Sequence, residues 1–222
     1  MSEISTSTSS ISETSCHKNS LPIGLKINLI GDTGVGKTSI INQYVSKRFT
    51  TSVSTIGLDC HKKTVEIEHY NFNLTIWDTA GQELYRNLTK NSLRGLDILM
   101  IVFDVTNRKT FKNLDYWYEE IKETLDINSI IICLIANKID LSEQQEVFYE
   151  EYYKYSNSIN VKLFEANAKN FDLVNQIFED CVQSYYEKFL KDSKYLLNLN
   201  NSHRNTIKVD KKKVEKKKAK CC

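Results

Sequence analysis

Apolar residues recur along the chain with two different periods, and the order in which the periods alternate predicts the architecture. Leu25, Ile27 and Leu29 alternate with Lys26 and Asn28 before the run closes on Ile30, the period-two pattern of a strand. Further strands are predicted over Thr64–Glu68, Phe72–Trp77, Ile98–Phe103, Ile130–Ala136 and Val161–Phe164. The fourth and fifth strands are nearly unbroken apolar runs, as expected of strands covered on both faces. Helical spacing separates them: Lys37 to about Val45; Thr110–Thr124, where Phe111, Leu114, Trp117, Tyr118 and Ile121 fall three or four apart; Glu143–Tyr155; and Phe171 to about Leu190. Strands alternating with helices imply an α/β fold of three layers, a six-stranded, mostly parallel sheet with helices on both faces. Such sheets bind ligands at the carboxyl ends of their strands.

The flanks are of a different kind. Residues 1–22 are rich in serine and threonine and lack periodicity, which predicts a disordered arm before a globular domain over 23–192. Residues 193–222 read as a flexible polybasic tail ending in Cys221-Cys222. The formal net charge of +2 conceals this division. From Lys208 onward eight lysines stand against Asp210 and Glu215, so this last segment carries +6 and the residues before Lys208 −4. With 41% hydrophobic residues there is enough apolar material for one core, while seven glycines and one proline exclude a collagen-like chain. No apolar run reaches the roughly 20 residues needed to span a bilayer, and no signal-peptide pattern opens the chain. The six cysteines have no metal-ligand spacing, and without a secretory signal their even number does not imply disulfides.

The chemistry-bearing motifs sit where strands end. Gly31-Asp32-Thr33-Gly34-Val35-Gly36-Lys37-Thr38, followed by Ser39, matches G-x-x-x-x-G-K-[ST] between a strand and a helix. Its glycines let main-chain N–H groups face phosphate oxygens; Lys37 supplies charge to the β- and γ-phosphates, and the Thr38 hydroxyl suits Mg²⁺. Asp78-Thr-Ala-Gly81 follows the third strand, where Asp78 is a second candidate for Mg²⁺ and Gly81 can approach a γ-phosphate. Asn137-Lys138-Ile139-Asp140 follows the fifth strand. The Asp140 carboxylate can accept from both N1–H and the 2-amino group of guanine, whereas adenine would leave it unpaired. Ala166-Asn167-Ala168-Lys169 follows the sixth strand; Ala168 and Lys169 are candidates to touch the base, though the four residues alone read equally as a strand-to-helix turn. Five of the seven glycines lie between positions 31 and 81, in or beside these segments.

Taken together, in this order and spacing, the motifs from about Leu25 to Lys188 resemble the Ras superfamily of small GTPases. Ser54-Thr-Ile-Gly-Leu-Asp59, Trp77-Asp-Thr-Ala-Gly-Gln-Glu83, Ile101-Val-Phe-Asp-Val-Thr106, the helix Phe111…Trp117, Arg94-Gly95 and Cys221-Cys222 resemble its Rab family. The resemblance implies a GTP-binding, GTP-hydrolysing switch that uses Mg²⁺ and is slow without an activating protein. It implies that Thr55 closes over Mg²⁺ and the γ-phosphate, that Gln82 orients the attacking water beside Lys37, and that Phe49 packs on the nucleotide. It also implies partners: exchange factor, activator, effectors, prenylation and escort proteins and a GDP-dissociation inhibitor. The expected location is the cytoplasmic face of an intracellular or plasma membrane, with a cytosolic pool and a role in vesicle traffic. An alternative is a nucleotide-binding scaffold with little or no hydrolysis; an ATP-using P-loop enzyme is a further rival, which Asp140 opposes.

The sequence departs from the family pattern mainly toward the switch surface. Phe49 to Thr55 is about one residue short, and Val53 stands near a position often aromatic. Cys60 replaces phenylalanine, Leu84 an arginine and Ser92-Leu93 a tyrosine pair, while Asn167 replaces serine. These changes predict a divergent partner set. At the end of the tail, Cys221 and Cys222 resemble the Rab terminus that carries two geranylgeranyl groups. Two lipid chains, or one with a basic patch, hold a protein to a bilayer where a single chain binds marginally. A lysine run can also serve nuclear import or nucleic-acid binding; beside the two cysteines a membrane is expected and no nucleic-acid partner.

Overall fold

A computed structural model describes residues 22–49, 58–79 and 93–191. Strands β1 (Ile23–Ile30), β2 (Leu58–Ile67), β3 (Tyr70–Thr79), β4 (Ile98–Asp104), β5 (Ile131–Asn137) and β6 (Lys162–Ala166) form one sheet in the order β2-β3-β1-β4-β5-β6. Only β2 runs antiparallel to its neighbour; every other pairing is parallel, so the expected six-stranded, mostly parallel sheet is present. Helices α1 (Lys37–Ser46) and α5 (Phe171–Tyr185, continued by a π-helical turn Tyr186–Leu190) pack on one face. Helices α2 (Arg108–Lys112), α3 (Leu114–Thr124) and α4 (Tyr149–Ser158) cover the other.

The alternation of side chains on β4 divides the core. Ile98, Met100 and Val102 join the α1–α5 layer, while Leu99, Ile101 and Phe103 join the α2–α4 layer, and all seven residues of the strand are buried. This is why the run carries no period-two polarity: neither face meets water. Across the first layer Tyr44 of α1 stacks on Phe178 of α5 with centroids 3.8 Å apart and planes within 3°.

The elements depart from the sequence expectation at three places. Strand β2 begins six residues before Thr64, because as an edge strand it is held by antiparallel main-chain pairing from Leu58 opposite Thr79 to Ile67 opposite Tyr70; its polar Asp59-Cys-His-Lys-Lys run needs no apolar face. The helix expected over Thr110–Thr124 starts at Arg108 and is jointed at Asn113. The helix expected from Glu143 begins only at Tyr149. The main-chain N–H groups of Glu146 and Val147 both donate to the Val105 carbonyl, the Glu146 carboxylate accepts from the Arg108 N–H, and Val147 is fully buried. Those tertiary bonds interrupt the expected helix, leaving a 3₁₀ turn over Ser142–Gln144 ahead of α4. The Phe148 N–H then donates to the Glu151 carboxylate, which also takes a two-pronged ion pair from Arg108 and is drawn down to about 2 by it.

The Tyr44–Phe178 stack yields a stability prediction. Phe178→Ala removes a fully buried ring that Tyr44 cannot replace and should cost about 3–5 kcal/mol. The Tyr44 hydroxyl is buried and has no hydrogen-bond partner among the described residues. Tyr44→Phe should therefore leave stability unchanged or raise it by about 1 kcal/mol. Denaturant midpoints of the two variants check both statements, and a large loss for Tyr44→Phe would show that the hydroxyl is satisfied.

Candidate nucleotide-binding site

The carboxyl ends of five strands meet along one edge of the sheet. Leu29 of β1 pairs with Asp78 of β3, and Asp104 of β4, Asn137 of β5 and Ala166 of β6 stand side by side in register. The loop after β1 fits this edge because of its glycines. Gly31, Gly34 and Gly36 have φ of 136°, 81° and 99°, a region that side chains oppose. A Cβ on Gly31 would collide with the Val102 carbonyl, and one on Gly36 with the Asn137 side-chain amide.

Two charged groups, Lys37 and Asp78, are buried at the root of this loop, with the half-buried Thr38 beside them. Lys37, 5% exposed, donates through Nζ to the carbonyls of Gly31 and Asp32, both at 2.8 Å. Burial pulls its ammonium down to about 8, against the opposing pull of Asp78 and Asp32. The Thr38 hydroxyl donates to Asp78 Oδ2 at 2.6 Å. Burial pushes the Asp78 carboxyl above its ordinary range, opposed by the Thr38 hydrogen bond and the Lys37 charge. Thr38 and Asp78 thus place two hard oxygen donors together beside a buried cation, which fits Mg²⁺, an ion that takes few protein ligands and completes its shell with water and phosphate. No group of three or more His, Cys, Asp or Glu side chains suited to a metal occurs among the described residues.

The other end of the edge is built from the loops after β5 and β6. The Asn137 amide, 1% exposed, donates to the Val35 carbonyl at 2.8 Å and so fastens the glycine loop to β5. Lys138 adopts φ of 68°, and its Nζ pairs with Asp104 Oδ2 at 2.6 Å. The Ile139 N–H donates to the Ala166 carbonyl, which joins the β5 and β6 loops. Lys169 Nζ pairs with Asp140 Oδ2 at 2.7 Å, and the Lys169 N–H donates to Asn167 Oδ1 at 2.9 Å. Asn167 therefore closes the turn with a side-chain acceptor. Ala168 is buried at 6% exposure, and Phe49, 40% exposed, lies with its ring centroid 5.8 Å from Lys169 Nζ.

Most of the residues singled out in the sequence are therefore together on one edge: Gly31 to Ser39, Phe49, Asp78, Asn137, Lys138, Asp140, Ala168 and Lys169. Thr55, Gly81, Gln82, Cys221 and Cys222 lie outside the described residues, as do Val53, Leu84 and Ser92. Cys60 is exposed on β2, as a surface position should be. Leu93 does not belong to the switch surface: it is 2% exposed and packed with Leu96, Leu99 and Ile101 in the α2–α4 core, so it is unsuited to choosing partners. Sequence reasoning missed Asp104 as an anchor for Lys138, and it missed Asn113 and Trp117, whose side chains donate to Asp32 at 2.6 and 2.9 Å. The signals for Trp117 were a helical apolar position and the Rab-like helix Phe111…Trp117; its indole N–H gave no sign of a partner.

Comparison with known proteins identifies the family. The Ras family profile matches residues 26–187. The chain is similar to the Ras-related protein SEC4 of Saccharomyces cerevisiae, 34% identical over 199 residues covering 89% of this chain and 91% of that protein. It is likewise similar to the Ras-related protein Rab-11C of Dictyostelium discoideum, 36% identical over 162 residues covering 72% of each. With its family profile matched over most of its length, these relatives, and a glycine loop, the Thr38–Asp78 pair and Asp140 on one edge of this sheet, the chain belongs to the Ras family and is a small GTPase of Rab type.

Proposed function

We propose that the protein is a GTP-operated switch for a step of vesicle traffic, held to a membrane by lipids on Cys221 and Cys222. The observation that carries the nucleotide reading is the continuous edge from Lys37 and Thr38–Asp78 at the phosphate end to Asn137, Asp140 and Lys169 at the base end. The glycine loop turns main-chain N–H groups toward phosphate oxygens, and Lys37 adds a buried ammonium whose charge is little screened by water. Thr38 and Asp78, joined by Thr55, would hold Mg²⁺. Bound there, the ion offsets charge that develops on the β- and γ-phosphates. Gln82 is proposed to orient the water that attacks the γ-phosphorus, and the main-chain N–H of Gly81 to sense whether that phosphate is present.

Asp140 selects the base. Its carboxylate accepts from the two donors that guanine presents, and Lys169 beside it holds the carboxylate in place. Phe49, next to Lys169, is positioned to cover the same end of the nucleotide. In the GTP state the segments around Thr55 and Gln82 would be ordered to bind effectors and would relax after hydrolysis, with exchange factor and activator setting the two rates. No described helix is long and apolar enough to cross a membrane, so attachment is assigned to the tail. Two lipidated cysteines beside a segment from Lys208 of charge +6 supply the two signals that stable anchoring needs, and a GDP-dissociation inhibitor would maintain a cytosolic pool.

Three outcomes follow. Asp140→Asn should weaken GTP binding by about 100-fold while the wild-type protein ignores ATP in competition; equal competition by ATP would refute the base assignment. In single-turnover assays with Mg²⁺, Gln82→Leu should slow hydrolysis by roughly tenfold or more with GTP affinity kept, and an unchanged rate would remove Gln82 from the chemistry. Absence of turnover in the wild type even with an activator, despite tight binding, would indicate a nucleotide-binding scaffold. Deleting Cys221-Cys222 should move the protein from the membrane to the soluble fraction of its own cells, and retention on membranes would locate the anchor elsewhere.

A further inference from the structure

The hydrogen bonds of Asp32 reach beyond the nucleotide edge. Its main-chain carbonyl faces inward and accepts from Lys37 Nζ, but its carboxylate turns outward to another element. Asp32 Oδ2 accepts from Asn113 Nδ2 at 2.6 Å, and Oδ1 accepts from Trp117 Nε1 at 2.9 Å. The two donors stand one helical turn apart, Asn113 at the joint between α2 and α3 and Trp117 in the following turn. All of these bonds are part-buried and join residues 81 and 85 positions apart in sequence.

Two features separate this arrangement from ordinary helix packing. Helix α3 is already seated by Leu114 and Ile121, each 1% exposed in the core against the sheet. The hydrophobic seat asks for the Trp117 ring, not for its N–H, and does not ask for an amide at Asn113. A carboxylate in a phosphate-binding loop is also an electrostatic liability, since like charges repel more strongly where water is scarce. Two donors, each bonded to its own oxygen, spread that charge and point it away from the inner face of the loop.

We infer that Asn113 and Trp117 are positioning residues for the phosphate loop: acting through Asp32, they hold the loop in the shape that retains the nucleotide and make α3 its outer brace. The inference rests on the guanine-nucleotide reading above. Losing either donor leaves part of the Asp32 carboxylate short of a partner and frees the loop to shift, so the effect belongs in nucleotide release more than in overall stability.

The test uses the full-length protein loaded with fluorescent GDP and chased with excess unlabelled GDP in Mg²⁺ buffer. Trp117→Phe keeps a six-membered aromatic ring but removes the indole N–H together with the fused five-membered ring, and Asn113→Ala removes the other donor without touching the indole. Each should release GDP about five- to tenfold faster than the wild type. Tyr118→Phe deletes a hydroxyl of the same helix that donates to the Ile159 carbonyl at 3.3 Å, and it should release at the wild-type rate. The decisive measurement is a double-mutant cycle. In an Asp32→Ala background, which itself releases faster, adding Trp117→Phe should give no further acceleration, whereas a packing effect would add in full. Wild-type release from both donor variants, full additivity on Asp32→Ala, or equal acceleration by Tyr118→Phe would each overturn the brace. Failure of the wild type to take up fluorescent GDP would instead overturn the nucleotide reading, so the two failures are distinguishable.

Discussion

One buried hydrogen bond, from the Asn137 amide to the Val35 carbonyl, ties together two motifs that lie 102 residues apart. A polar pair removed from water is worth keeping only when it is satisfied, and here the donor also excludes any side chain at Gly36. The glycine of one motif makes room for the amide of the other. From that joint the remaining ties spread along the edge: Lys138 to Asp104, Ile139 to Ala166, and Lys169 to Asp140. A nucleotide lying on this edge would therefore meet a surface whose parts are already fixed relative to one another, which lowers the ordering cost of binding.

Charge at the phosphate end follows from burial more than from numbers of residues. The body of the chain carries a mildly negative net charge, so the phosphate end relies on a few placed donors and not on an excess of cations. Lys37 and Asp78 are both almost completely buried, and burial works against the charged form of each. Each is supported by a neighbour of fitting chemistry: the loop carbonyls for the ammonium and the Thr38 hydroxyl for the carboxylate. Asp32 shows the same logic on the outer side, with its charge met by donors from α3. The loop is thus gripped from beneath by Lys37, from the β5 side by Asn137 and from outside by Asn113 and Trp117.

The order of elements and the place of the site were legible in the sequence because both depend on local patterns. Two unbroken apolar runs announced strands covered on both faces, and the glycine loop announced a strand-to-helix turn that only φ above zero can make. The boundaries at β2 and α4 were not legible. Main-chain pairing with β3 fixes the first, and the Val105 carbonyl with the Arg108–Glu146 contacts fixes the second; neither leaves a periodic trace in the segment it shapes. Leu93 is the counterpart on the surface: its residue type matched a change of recognition surface, yet its contacts place it in the core.

The amino-acid sequence by itself determined which residues have the chemistry to hold phosphate, Mg²⁺ and guanine, since spacing within one turn or one loop is set by covalent geometry. Tertiary structure alone decided which of them support each other. That Asn137 latches Val35, that Lys169 meets Asp140, and that a tryptophan read as core aims its N–H at Asp32 are contacts between segments far apart in the chain. Such contacts depend on the packing of whole layers, and no local pattern encodes where a side chain's polar end will point once the layers close.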